Sequence, residues 1–319
     1  MMAAMTELSG VLDAKLPKPP AGLVLARLCG GVLDSVVRGP VGEEMVFELG
    51  SITKVVTGLL LATAVDRGLV TLDTPLEACL PGVRSRAPIT LGALASHTAG
   101  LPRLPLALLR RKGVRNLTDP YADTTVEELI DHLARVRVRP TARMRYSNFG
   151  AALLGQALAA LAGVQYERLV EEWVLGPLGV EEVWTRNGPP VAQPHDRRGR
   201  AVPPWTLGAY APAGCLHGTV RGALALSSAC MQPPAAMAEA VALALTPRTR
   251  RGRMESGLGW IRSPISPEKR MWWHNGGTHG SRAFTGFVPE SGTAVAAVTN
   301  CAHAPDKAAV QALSRSDHR

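Results

Sequence analysis

Apolar, β-type runs gather at the two ends of this chain, and helical patterning fills the stretch between them. Near the start, GLVLARLC (22–29) and GVLDSVV (31–37) are separated by little more than Gly30, which predicts a hairpin. MVFEL (45–49) reads as a third extended segment. Far along the chain, GLGWI (257–261), MWW (271–273), AFTGFV (283–288) and TAVAAVT (293–299) form a second set, with Pro289, Glu290, Ser291 and Gly292 turning between the last two. In the middle, residues 125–136 open on a Thr125/Glu128 capping box, 148–162 close at Gly163, and 165–175 continue the helical pattern. A last helix follows Pro305. The pattern predicts an α+β fold: an antiparallel sheet built from both termini, flanked by helices, with a mainly helical domain inserted between its halves. The expected division is 20–75 plus 250–319 for the discontinuous sheet domain, 76–249 for the insert and 1–19 for an N-terminal extension. Residues 186–204, rich in Pro, Gly and Arg, read as a long loop of the kind that borders sites.

Composition removes several functions. The net charge is +9, carried by 29 arginines and six lysines, but the arginine clusters lie far apart and only 4% of residues are aromatic. No nucleic-acid motif accompanies them, so the basic groups read as a solvated face rather than a nucleic-acid surface. No apolar run reaches the roughly 18 residues that would span a bilayer, so no membrane partner is expected. Glu7, Asp13 and Pro17 interrupt the stretch where an export signal needs unbroken apolar residues, and the expected location is the cytoplasm. Five scattered cysteines, without paired spacing, favour neither a disulfide framework nor a zinc site, and no metal or other cofactor is expected.

The most informative helix opens at Ser51. Ile52, Val55, Val56, Leu59, Leu60 and Thr63 recur at helical spacing, and Leu61 with Ala62 widens the apolar face, so this helix reads as largely buried. Lys54 in its first turn then meets both desolvation and the positive end of the helix dipole, each of which lowers an amine pKa. Ser51 lies three residues before it, on the same side. There the amine helps deprotonate the hydroxyl while helix-terminal N–H groups face a developing oxyanion, as a serine acyl-transfer nucleophile requires. Six lysines and 15 serines in 319 positions give about 0.3 chance matches to this spacing. Two occur. The second, Ser266-Pro267-Glu268-Lys269, sits in a polar turn with no helix behind it and reads as a decoy.

Two further elements stand out. Tyr146-Ser147-Asn148 enters the helix at 148–162, where the phenol and the amide either point into one cleft or serve as a core tyrosine beside an asparagine cap. The stretch from His274 through Asn275, Gly276, Gly277 and His279 to Gly280 follows a strand, and its glycines either let a substrate backbone lie along the strand edge or form a turn.

The ordered set SITK, YSN and HNGG resembles the three active-site motifs of the serine β-lactamase and penicillin-binding-protein superfamily. The nearest likeness is to the branch of class C β-lactamases, esterases and D-aminopeptidases. ELGSITKVVTGLLL, ITLGALASHTAGLP, RYSNFGAALLGQAL, VLGPLGV, APAGCLHGT and HNGGTHGSRAFTGFVPESG match that branch in order, covering most of the chain. The resemblance implies Ser51 as the acylated nucleophile, Lys54 as its partner in deprotonation, and Tyr146 as a second acid/base, acting as a phenolate or a proton shuttle. It implies Asn148, His274, Asn275 and Gly276 as substrate-binding residues, and the amides of Ser51 and Gly277 as the oxyanion hole. His274 replaces the lysine of the antibiotic-hydrolysing pattern, and a histidine is mostly neutral at pH 7. The expected activity is therefore hydrolysis of a small ester or amide through an acyl-serine, with intracellular acyl transfer, or β-lactamase or D-Ala carboxypeptidase action on a lactam or peptide substrate, as alternatives. A catalytically silent acyl-binding or sensor protein is the non-enzyme alternative. His97 reads as structural, Cys215 as a buried filler, His279 as ambiguous, and Arg143 and Arg145 as exposed.

Overall fold

The computed structural model describes residue 8 and residues 21–112, 119–139, 141, 143–185 and 188–315. The expected N-terminal extension, Leu8 apart, lies outside the described residues, as does Arg186. Eleven strands are described: β1 (Leu23–Cys29), β2 (Val32–Arg38), β3 (Phe47–Gly50), β4 (Val183–Trp184), β5 (Leu216–Gly218), β6 (Thr249–Arg251), β7 (Met254–Ser256), β8 (Ile261–Pro264), β9 (Arg270–Gly277), β10 (Arg282–Val288) and β11 (Thr293–Thr299). Eight form one antiparallel sheet in the order β2-β1-β11-β10-β9-β8-β7-β6. The joint between the chain's two ends is β1 on β11, where Leu23 faces Thr299 and Cys29 faces Thr293.

Both faces of the central strands are covered, which explains why TAVAAVT is apolar throughout rather than alternating. On one face Val24, Ala26, Ala294, Ala296 and Val298 join the main core, which includes Ala223 and Leu226 of the helix Val220–Met231. On the other, Leu23, Leu25, Val295 and Ala297 pack with Ala308, Ala309, Ala312 and Leu313 of the last helix, Asp306–Ser314, and with Leu8.

Three of the described helices are α1 (Thr53–Asp66), α2 (Val126–Arg135) and α3 (Asn148–Ala162), with α3 packed against both of the others. The Thr125/Glu128 capping box is present, and α3 ends at Gly163 in the left-handed conformation. Its N-cap is Ser147, whose hydroxyl accepts from the Gly150 amide at 2.9 Å, so Asn148 is not the cap and its side chain is free for other use. The helical stretch expected over 165–175 is Tyr166–Val170 continued by a π-helical turn, Glu171–Leu175.

Two expectations are corrected. GLGWI is not one strand: residues 257–260 form a tight turn between β7 and β8, across which the Gly257 amide donates to the Trp260 carbonyl, and only Ile261 is strand, the first residue of β8. The turn is pressed onto α1, because a Cβ on Gly259 (φ +76°) would sit 2.1 Å from the Lys54 carbonyl oxygen and one on Gly58 2.2 Å from that of Leu258. The extended segment at 45–49 does not join the large sheet. As β3 it pairs with β5, and β5 with β4, in a three-stranded sheet drawn from distant parts of the chain.

Candidate active site

Ser51 owes its position to two backbone irregularities. The β3–β5 ladder shifts register between Glu48 and Gly50, and Gly50 adopts φ +52°, turning the chain out of the strand one residue before the serine. Thr53 then locks the corner, donating its hydroxyl to the Gly50 carbonyl at 2.6 Å and accepting the Leu216 amide at 2.9 Å. α1 begins at Thr53, not at Ser51, and is buried around its whole circumference.

Lys54 is only 2% exposed. Its Nζ donates to Ser51 Oγ at 2.9 Å and to the Ala213 carbonyl at 2.6 Å. Burial drives its pKa well below the ordinary lysine value, and the Arg103 guanidinium pushes the same way. Both effects favour the uncharged amine, the form that can accept a proton from the Ser51 hydroxyl.

Tyr146 lies beside this pair. Lys54 Nζ stands 5.0 Å from its ring centroid, and the rings of His97 and His274 lie 4.8 and 6.1 Å away. Burial raises the phenol pKa well above its usual value, more than the Ser51 hydrogen bond and Arg103 lower it. Of the two roles implied by the resemblance, the phenolate is disfavoured and the neutral proton shuttle remains. Both histidines are held neutral, with pKa values lowered to about 3 by burial and then by the neighbouring lysine.

Asn148 is buried and donates its Nδ2 to the Tyr121 hydroxyl at 2.6 Å. Its Oδ1, like His274 Nε2, is buried without a hydrogen-bond partner among the described residues. On the sheet side, β9 runs four residues past the expected strand, so the HNGG stretch is strand rather than turn. Pleating then divides it: His274 and Gly276 are buried, whereas Asn275 is exposed and donates to Asp306 Oδ1 at 2.6 Å. The structure does not bring the Asn275 side chain to the site. Gly276 permits the closest crossing in the region. A Cβ there would lie 1.8 Å from the Leu49 carbonyl oxygen and 3.1 Å from the Ser51 amide nitrogen, and one on Gly50 would lie 2.7 Å from the Gly277 nitrogen. This contact brings the two amides assigned to the oxyanion hole together at one edge of the cleft.

The cleft is narrow, with about 30 Å³ of free space between Ser51, Asn148, Gly277 and a wall formed by Trp205 and Leu207. That wall also lines a neighbouring cavity of about 450 Å³, with Cys215 and His217. His279 sits in the turn after β9, and Ser266 and Lys269 close the β8–β9 turn, joined through the Lys269 amide and the Ser266 hydroxyl.

Four residues at or around this cleft carry no motif signal. Tyr121 anchors Asn148 and packs against Trp205 and Tyr210. The buried carboxylate of Glu48 accepts from the Trp205 amide at 2.9 Å, Thr278 Oγ1 at 2.7 Å and Ser281 Oγ at 3.1 Å, tying the wall to the β9–β10 turn. Burial raises its pKa. Trp205 belongs to the wall itself, and Arg103 stands over the Tyr146 ring at 5.5 Å. Only Glu48 left a trace in the sequence, as a charged residue inside an otherwise apolar strand.

Comparison with known proteins places this geometry. The chain is 34% identical over 157 residues to the D-alanyl-D-alanine-carboxypeptidase/endopeptidase AmpH of Escherichia coli, a match covering 47% of this chain and 37% of that protein. It is 28% identical over 173 residues to esterase EstB of Burkholderia gladioli, covering 50% and 44%. The chain thus spans less than half the length of either relative. The crystal structure of a class C beta lactamase from Rhodobacter sphaeroides superposes with a TM-score of 0.80 over 98% of this chain and 97% of that one, at 22% identity, which shows a shared fold. The beta-lactamase family model matches residues 21–318, from the first strand of the sheet through the last helix, and on that match the chain belongs to the beta-lactamase family.

Proposed function

We propose that the protein is a serine hydrolase that cleaves a small ester or amide through a covalent acyl-serine. The observation that carries this reading is the 2.9 Å contact between Ser51 Oγ and a buried Lys54 amine whose pKa is depressed. In the acylation step the Ser51 oxygen bonds to the substrate carbonyl carbon and its proton passes to the neutral Lys54 amine. The amides of Ser51 and Gly277 receive the oxyanion, each such donor typically being worth about 3 kcal/mol. As the tetrahedral intermediate collapses, the bond to the leaving group breaks and that group takes the proton, relayed through the neutral Tyr146 hydroxyl. Water then attacks the acyl-serine by the reverse route. The unpartnered Asn148 Oδ1 suits a donor on the acyl side of the substrate.

Neutral His274, where the antibiotic-hydrolysing relatives carry lysine, supports an ester or amide substrate over a β-lactam, because it offers no cation to a lactam carboxylate from the strand. The test is intact mass after brief incubation with an activated acyl ester, a β-lactam and a fluorophosphonate, alongside Ser51→Ala. An adduct on wild type alone establishes the nucleophile, and the reagent that turns over assigns the chemistry. Absence of any adduct on folded protein overturns the reading in favour of a binding role. Adding an amine or alcohol acceptor separates hydrolysis from acyl transfer.

A further inference from the structure

We infer that Arg103 makes the cleft selective for an acyl group that carries a carboxylate. This rests on the hydrolase reading above and names its substrate class. Arg103 is fixed to the second motif by its backbone: its carbonyl accepts the amides of Asn148 at 3.2 Å and Phe149 at 3.3 Å, at the start of α3. From that anchor its guanidinium reaches over the Tyr146 ring and lines the same cleft as Ser51 and Asn148.

Arg103 is exposed to solvent and enters no ion pair among the described residues, whereas Arg27, Arg168, Arg200, Arg221 and Arg262 each have an acidic partner. The acidic groups around the site are buried and committed elsewhere: Glu48 accepts from Trp205, Thr278 and Ser281, and Asp119 from the amides of Tyr121, Ala122 and Thr206 and the Thr206 hydroxyl. Arg103 also disfavours a proton on Lys54. A substrate carboxylate supplies Arg103 with an acidic partner and forms the paired, charge-assisted hydrogen bonds to which a guanidinium is shaped. The acceptor Asn148 Oδ1, buried and without a partner among the described residues, lines the same cleft and suits a donor elsewhere on the acyl group. The strand side offers neutral His274 instead of a cation, so anion recognition falls to the other side of the cleft, to the segment before the helix Leu106–Lys112 whose backbone holds the start of α3.

Two length-matched esters test this, 4-nitrophenyl hexanoate and mono-4-nitrophenyl adipate, with 4-acetoxybenzoate placing the carboxylate on the leaving group. The readout is the ratio of kcat/KM for adipate over hexanoate, so that any effect of Arg103 on the nucleophile cancels. Wild type is expected to favour adipate at least tenfold. Arg103→Gln should lower the ratio 10- to 100-fold through KM, Arg103→Lys should recover part of it, and Arg103→Glu should invert the preference. The wild-type preference should also shrink as salt is raised. A ratio near one, or one unchanged in Arg103→Gln while hexanoate is still hydrolysed, overturns the inference and leaves the hydrolase reading intact. A preference confined to 4-acetoxybenzoate overturns the assignment to the acyl side. Absence of turnover and of Ser51 adducts with every ester overturns both.

Discussion

The chain carries the same four-residue pattern twice, and the two copies occupy opposite environments. In SITK the serine follows a corner turned by Gly50, its lysine is buried, and the amine meets the hydroxyl at 2.9 Å. In SPEK the contact is between the Lys269 amide and the Ser266 hydroxyl, at 3.2 Å, within a turn linking two strands. Spacing alone therefore supplies no chemistry. The corner at Gly50, the helix behind it and the burial of Lys54 are what fit the first copy, and not the second, to the nucleophile and base of the proposed reading. The sharpest way to break this contrast is to remove both serines separately. Ser51→Ala should lower ester turnover roughly 10³-fold or more, to the level left by binding and oxyanion stabilisation, whereas Ser266→Ala should change it less than twofold. Comparable losses in steady-state assays would show that the two environments do not differ as described.

The lysines extend the contrast. Lys54→Met should slow acylation by about 100-fold or more, since general-base assistance typically contributes 10²–10⁴, while Lys269→Met should have no comparable effect. Wild-type kcat/KM should rise with pH along a limb lying well below the ordinary lysine value, because the amine must lose its proton and burial lowers its pKa. Loss of that limb in Lys54→Met, with retention in Lys269→Met, is the result expected from stopped-flow pH profiles. A limb that survives in Lys54→Met assigns it to another group.

How much was legible follows from the same contrast. The β1–β2 hairpin, the capping box at Thr125 and the α3 stop at Gly163 were readable because each depends on neighbours in sequence. The 257–260 turn was misread because its conformation is set by α1, two hundred residues away, whose backbone it touches where only glycine fits. Arg103, Tyr121 and Trp205 were invisible for a related reason: each is an ordinary residue until the fold sets it beside Tyr146 or Asn148. The first motif could be separated from its decoy because the apolar helix behind it is local. The alternation of β9 could have been read too, had HNGG been taken as strand rather than strand end.

The buried surroundings of the first motif also set an acid limit on stability. His97 and His274 have folded-state pKa values of about 3, against 6.5 for an exposed histidine. Between these values the unfolded chain binds more protons than the folded one, so stability is full above about pH 6.5 and is lost as pH falls toward 3. Two such groups give a slope of up to about 2.7 kcal/mol per pH unit. Urea midpoints measured from pH 7 to pH 5 should fall accordingly, and His97→Asn should flatten the decline. A midpoint independent of pH over that interval would mean the histidines around Tyr146 are not buried and neutral.

The smallest effect concerns Asn275, where the resemblance and the pleat of β9 disagree. The resemblance makes it a substrate ligand, but its side chain faces away from Ser51 and donates to Asp306, the first residue of the last helix. That bond lies at the surface and holds an acidic group near the positive end of the helix, an arrangement usually worth about 1 kcal/mol or less. Asn275→Ala should therefore lower stability by about that amount in urea titration and reduce kcat/KM less than threefold. A tenfold loss of kcat/KM at unchanged stability would return Asn275 to the substrate. The expected outcome leaves recognition on the strand side to the backbone at Gly276 and Gly277 and to His274, with the side chains that discriminate among substrates on the opposite wall, at Asn148 and Arg103.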